Sequence, residues 1–401
     1  MAAAAHRAWV VAGLGTAQTL GWASSYYLPA LLAAPMAREF GVGTPTVFAG
    51  FSLALAVSAL VGPAAGQLID RHGGRPVLMA TSGLFALALL ALGLAPSLPA
   101  LLAAFALLGV AMGSGLYEAA FAALVRLYGQ GARNSITGIT LIAGLASTVG
   151  WPLTAWMEAH QGWRGACLGW AALHLLLGLP LYARLPAVPA PATAPAAAAG
   201  PPSAAAPPAG PPPGSATTAL LAHVFAATWF TSTAMAAHLP SLLQQAGTSF
   251  AVAVGVAALV GPAQVAGRLL EFGLLRRVHP LLSARLAALT HPLGAAALLL
   301  LGPVAAPVFA LLHGAGNGIL TIAKGTLPLV LFGAQGYGAR QGWLMLPARL
   351  AQAAAPLAFG LALQRWGAQA LWLTWLLSLS SLAALLYLRG VVTATAARPD
   401  G

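Results

Sequence analysis

Charge is what this chain has least of. Asp, Glu, Lys and Arg make up 6% of its 401 residues, against about 25% in soluble domains. So sparse a set cannot clothe a water-facing surface, which excludes a soluble globular protein. Acids are the scarcest, six in all. The one cysteine, Cys167, lies in an apolar run, so an internal disulfide and a cysteine-cluster metal site are excluded. Lys324 is the one lysine beside seventeen arginines. Missing too are a Walker loop, a dinucleotide fingerprint after a strand, and His, Asp and Glu at metal-ligand spacing. No enzyme chemistry and no cofactor are expected.

What is present is apolar length. The chain is 59% hydrophobic, with mean hydropathy +0.84. At about 20 residues per crossing, twelve helical spans are predicted, near 8–33, 46–69, 76–95, 98–125, 135–158, 163–184, 218–243, 248–272, 281–302, 305–331, 341–363 and 368–389. Abundant Gly and Ala in these runs suit close packing of membrane helices. The net charge of +12 would suggest nucleic acid in a soluble protein. Here topology places the charges, so the bilayer is the expected partner and nucleic acid is not. With the N-terminus in the cytoplasm, most arginines outside the spans fall on that side, Arg71, Arg75, Arg126 and Arg133 among them, and Arg38, Arg164 and Arg365 fall opposite. This positive-inside bias puts both termini in the cytoplasm. The first span is too long for a signal-peptide core. The heavy use of Arg, Ala, Gly and Pro matches a GC-rich bacterial genome, hence a bacterial cytoplasmic membrane.

Residues 186–217 are Pro/Ala-rich, uncharged and free of aromatics. Such a stretch cannot bury a core and is predicted to be a linker. It divides an N-terminal six-span bundle (1–185) from a C-terminal one (218–390), with a short tail at 391–401. The halves resemble each other. Gly62-Pro63-Ala64 recurs as Gly261-Pro262-Ala263, Gly66-x-Leu-x-Asp70 as Gly267-x-Leu-x-Glu271, and Gly113-x-Gly115 as Gly316-x-Gly318. Repeats in this parallel order build transporters that rock around a midplane site.

The most specific motif joins spans 2 and 3: Gly66-Gln67-Leu68-Ile69-Asp70-Arg71-His72-Gly73-Gly74-Arg75. With six-plus-six spans and a central linker, this loop resembles the first signature of the major facilitator superfamily, and the similarity runs over essentially the whole chain. The resemblance implies an all-α membrane fold of two pseudo-symmetric bundles, with spans 1, 4, 7 and 10 lining a central cavity. It also implies a role for the loop as a cytoplasmic gate formed by Gly66, Asp70, Arg71, Gly73 and Arg75. In the family, the acid is taken to meet the N-terminus of span 11, here near 338–342, and Arg126 offers a second partner. Glu271 is the repeat counterpart of Asp70. Two family patterns are absent. Phe105 stands where the second signature has an arginine, and the glycine ladder of drug antiporters in span 5 is missing.

Charges at membrane depth cost at least ~2.5–3.5 kcal/mol, so each is a candidate. Lys324 shares a helical stripe with His313, Asn317 and Thr321. Glu118 lies in span 4 beside Tyr117 and Ser114, and is expected either to carry the coupling proton or to pair with Lys324 or Arg126. Arg268 and Glu271, with Gln264, form a stripe in span 8, either a structural pair or a substrate arginine. Arg349 falls at a similar depth in span 11. Gln18 and a run of hydroxyl side chains in span 1 are further cavity candidates. Three deep cations against one deep acid suit an anion. The expectation is a monomeric, proton-coupled secondary transporter of a small organic anion such as a monocarboxylate. The alternative is an efflux pump for drug-like amphiphiles.

Overall fold

The computed structural model describes residues 2–128, 132–187, 216–275, 278–332 and 337–396. Side chains within these are described except at 2–6, 70, 133–134, 325–326, 329–330, 332, 337–343 and 389–396. Every described element is helical, and the helices cross the molecule twelve times. Eight apolar helical runs are long enough to cross a membrane. Three of them, at Ser135–Ala183, Pro280–Lys324 and Leu344–Leu388, are long enough for two spans of about 20 residues. These three reverse at Gly162, Gly302 and Gly367, whose φ values of 69°, 68° and 58° suit residues without a Cβ.

Several spans predicted as single rods are broken. Span 1 consists of Ala2–Ser24 and Pro29–Glu39. Pro29 opens the second piece because it has no N–H to continue the first ladder. Span 4 divides into Leu98–Gly115 and Tyr117–Tyr128, span 5 breaks after Ala143, and span 8 breaks between Ala258 and Val260. Hydropathy does not register such breaks, because the residues on either side are equally apolar.

The repeat is visible as contact geometry. Gly109 and Gly113 of span 4 lie so close to Ala54 and Ser58 of span 2 that an added Cβ would sit 2.3 and 2.6 Å from their carbonyl oxygens. Gly314 and Gly318 of span 10 do the same to Val260 and Gln264 of span 8, at 2.7 and 2.3 Å. Each half thus holds two helices together through glycines one turn apart. The sequence match of Gly113-x-Gly115 with Gly316-x-Gly318 was two residues out of register with this pairing. Gly115 packs on Thr81, and Gly316 on Thr290.

The buried core is joined at one end and split at the other. At the end away from the 66–75 loop, a single cluster runs through both halves, including Tyr26, Phe51, Phe105 and Trp151 with Met235, Leu239, Phe309 and Phe359. His238 seals it. Its ring lies 3.9 Å from Phe48 between centroids, and Nε2 donates to the Pro356 carbonyl at 2.7 Å. At the end carrying the loop there are two separate clusters, one around Val10, Ile69, Leu78 and Leu124 and one around Leu221, Phe225, Leu327 and Leu385. Among the described residues, the halves thus share one apolar cluster at one end and have separate clusters at the other.

Candidate functional site

A cavity of about 310 Å³ lies between the halves beneath the sealed end, at the small end of the ~300–1,000 Å³ usual for ligand pockets. Lys324, Arg268, Arg349, Asn317, Thr321 and Tyr117 all line it, with Glu118, Gln264 and Gln352. Glu118 is the one carboxylate among the described lining residues.

Each charged side chain is held differently. Arg349 Nη2 donates to Glu118 Oε1 at 3.0 Å across the two halves, and both side chains remain partly open to solvent. Sequence reasoning offered Lys324 or Arg126 as partners of Glu118 and did not offer Arg349. The break at Leu116 starts a new helix at Tyr117, and from its first turn Glu118 reaches Arg349 of span 11. Arg268 is buried and donates to the Thr140 carbonyl of the other half. That carbonyl belongs to the last turn of the helix Arg133–Ala143 and also accepts from Gly144 N at 2.9 Å, using both of its lone pairs. Lys324 is buried, with its ammonium 4.2 Å from the Trp229 ring centre, a cation–π contact.

The expected Arg268–Glu271 pair does not form. Glu271 accepts from Ser283 of span 9 within its own half, while Arg268 reaches outward to Thr140. Spacing of three residues allowed the pair, but each partner found a closer one on another helix. Gln18 is not at the cavity. It is fully buried, its amide donating to Gly115 O at 2.7 Å and facing Tyr182, where it ties span 1 to span 4. His313 does not line this cavity. It meets His291 at 2.9 Å between Nδ1 atoms, in a small chamber of about 30 Å³ inside the C-terminal half.

Three buried donors of cavity-lining residues have no hydrogen-bond partner: Arg268 Nε and the indole N–H groups of Trp22 and Trp229. An unsatisfied buried donor costs about 1–3 kcal/mol, so each of these groups gains from an acceptor brought into the cavity. Sequence reasoning missed the aromatic lining at Trp22, Phe121 and Trp229. An aromatic at helical spacing reads the same in sequence whether it faces lipid, core or cavity.

Of the gate residues, Gly73 has φ 87° and separates span 2 from span 3. Gly66 has open space around its Cα, and Arg71 is exposed and Arg75 half-buried. Arg126 is half-buried in the last turn of span 4. The side chain of Asp70 and those of the span 11 start at 337–343 lie outside the described residues, as does the linker at 188–215.

The family model described as Major Facilitator Superfamily matches residues 14–323. Among curated proteins, a Thermoproteus tenax protein described as an uncharacterized 38 kDa protein in the 23S RNA operon is 36% identical over 152 residues. That alignment covers 38% of this chain and 39% of the relative's own length. Among solved structures, a bacterial homologue of the human lysosomal transporter Spinster, in an inward-facing and occupied conformation, matches with TM-score 0.65 and 16% identity over 97% of this chain and 96% of that one. A mutant of the nucleoside transporter NupG matches with TM-score 0.75 and 12% identity over 95% and 99%. At these identities the likeness is one of fold.

Proposed function

The chain belongs to the Major Facilitator Superfamily, and from that premise we propose that it carries a small organic anion across a bacterial cytoplasmic membrane by alternating access, coupled to protons. The observation that carries this reading is the company of Arg268, Lys324 and Arg349 on one cavity whose lining holds a single carboxylate among the described residues. Arg349 meets Glu118, while Arg268 and Lys324 add two further positive groups to the same walls. The unsatisfied donors on the same walls favour a ligand rich in acceptors.

The split end is the one whose loops carry the positive-inside bias, so the form described corresponds to a carrier open to the cytoplasm. Two gates then alternate. The sealed end is held by Tyr26 with Thr233 at 2.6 Å and by His238 between Phe48 and Phe359. The other would form when Asp70, with Arg71, Arg75 and Arg126 nearby, meets the start of span 11, whose helix dipole favours an anion. Glu118 carries the coupling proton: protonation removes its charge and frees Arg349, loosening a bond between the halves. Acting as a monomer, one chain supplies both gates and the whole cavity. An efflux pump for cationic amphiphiles has less support, because the cavity's carboxylate is already taken by Arg349.

Uptake of radiolabelled carboxylates into proteoliposomes under an imposed pH gradient tests the reading. Proton-driven accumulation is expected, with half-saturation raised about ten- to a hundredfold in Lys324→Met and Arg268→Gln, the range for losing a charged hydrogen bond. Flux that these substitutions leave unchanged would remove the anion site.

A further inference from the structure

The two walls of the cavity differ in kind, and the difference follows the boundary between the halves. The C-terminal half contributes Gln264, Arg268, Asn317, Thr321, Lys324 and Gln352 together with the Trp229 ring, so most of what it shows is charged or an amide or hydroxyl. The N-terminal half contributes chiefly rings and aliphatics, with Trp22 at the centre. Its indole stands edge-on to Tyr26 at 5.1 Å between centroids and tilted against Tyr117 at 4.9 Å. Tyr117 in turn stacks on Phe121 at 5.4 Å and 11°. Leu55, Met112 and Leu116 fill the space around these rings. The result is a continuous aromatic surface from span 1 to the second piece of span 4, and it meets the cations where Tyr117 contacts Arg268.

We infer that the substrate is an aryl carboxylate, and this rests on the anion reading proposed above. An aliphatic carboxylate of two or three carbons would use the cationic wall and leave the aromatic one unoccupied. A flat ring bearing an acid satisfies both at once. Its face lies against Trp22, Tyr117 and Phe121, where offset and edge contacts between rings add to simple burial. Its carboxylate turns to Arg268 and Lys324 and supplies an acceptor to Arg268 Nε, which has none among the described residues. The cavity volume of about 310 Å³ accommodates one such molecule. Because one half binds the ring and the other the charge, the ligand bridges the halves, and its occupancy bears on their rocking.

Four probes separate the contributions when their binding to the purified full chain is followed by thermal shift and by competition against labelled benzoate. Benzoate has ring and charge, cyclohexanecarboxylate has charge and similar size without a flat π face, acetate has charge alone, and benzyl alcohol has the ring alone. The expected order places benzoate about tenfold or more ahead of cyclohexanecarboxylate, the scale of one or two aromatic contacts, and acetate and benzyl alcohol weaker still. Trp22→Leu should abolish the preference for benzoate over cyclohexanecarboxylate, and Trp22→Phe should restore most of it, which a merely structural role for Trp22 would not do. Equal binding of benzoate, cyclohexanecarboxylate and acetate overturns the aryl inference and leaves the anion reading standing. Benzyl alcohol binding as well as benzoate, or no carboxylate binding at all, overturns both.

Discussion

Arg349 and Glu118 meet at 3.0 Å across the seam between the two halves, on the side of the cavity that faces the split end. The pair is partly exposed, so its worth to stability is small, about 0–1 kcal/mol. Its proposed importance is in coupling. Glu118→Gln should leave the melting temperature nearly unchanged and preserve exchange of labelled for unlabelled substrate. It should abolish accumulation driven by a pH gradient. Exchange and gradient-driven uptake measured on the same vesicles decide the matter, and a Glu118→Gln carrier that still accumulates substrate would remove Glu118 from the proton path.

The glycine contacts predict a contrast between residues of one type. Gly109→Val and Gly318→Val each force a side chain into a carbonyl oxygen of the neighbouring helix. Each should cost about 1–3 kcal/mol through overpacking, seen as a lowered melting temperature in detergent. Gly66 has no atom within 4 Å of where a Cβ would stand, so Gly66→Val should melt as the parent does. It lies in the proposed gate, however, and should slow transport when the parted end has to close. Gly255, equally open but at the opposite end of the molecule, is the control and should tolerate Val in both assays. A melting temperature for Gly66→Val as low as that of Gly318→Val would contradict the open surroundings of Gly66.

At the last residue of the helix Pro29–Glu39, beyond the apolar stretch of span 1, Glu39 clamps the sealed end. Arg164 donates to it at 2.6 and 2.9 Å and Trp163 at 2.6 Å, while Arg164 also caps the carbonyls of Gly93 and Ala95 at 2.8 Å each. The hydrogen bonds from Arg164, then that from Trp163, hold the Glu39 carboxyl below the usual carboxylate range. A carboxylate lowered on folding stabilises the fold above its unfolded pKa and ceases to as pH falls through its folded one. Melting temperatures of the parent and Glu39→Gln should thus differ at neutral pH, modestly because the pair is solvent-exposed, and converge in acid. A gap that widened in acid would reverse the sign of this argument.

The His291–His313 pair has a determinate hydrogen-bond direction. Thr374 donates its hydroxyl proton to the Leu371 carbonyl, so it accepts from His291 Nε2 at 3.1 Å. With both rings neutral, His291 Nδ1 then accepts from His313 Nδ1. His291→Phe leaves a buried donor on His313 without its partner, at about 1–3 kcal/mol. Adding His313→Leu should cost less than the sum of the single changes, because the orphaned donor is removed with its partner. Denaturation of the four proteins of this cycle supplies the number, and strict additivity would show that the two rings do not depend on each other.

Much of the architecture was legible in the sequence because membrane helices advertise themselves. An apolar run of about 20 residues has one stable form in lipid, where every backbone group must be bonded within its own segment. The 66–75 loop carries its family likeness for a local reason, since Gly73 needs φ > 0 to separate two helices. The depth of Lys324, Arg268 and Arg349 followed from counting residues along spans, and all three line the cavity. Direction around the helix axis could not be counted in the same way. Gln18 and Lys324 looked alike as polar residues at depth, yet one is packed beneath Gly115 and the other lines the cavity.

By itself the sequence determined that the chain is a twelve-span helical membrane protein of duplicated plan. Composition, apolar run length and the loop signature are all local or additive properties, and they do not depend on which helix meets which. Tertiary structure alone decided the partners: Glu118 with Arg349, Arg268 with Thr140, Glu271 with Ser283. It also decided that one end has a core shared by both halves while, among the described residues, the other has two, and that rings and cations line one cavity. These depend on breaks within spans and on the packing of one half against the other. A hydrogen bond or ion pair is made over about 3 Å, and no spacing along the chain fixes distances between helices to that accuracy.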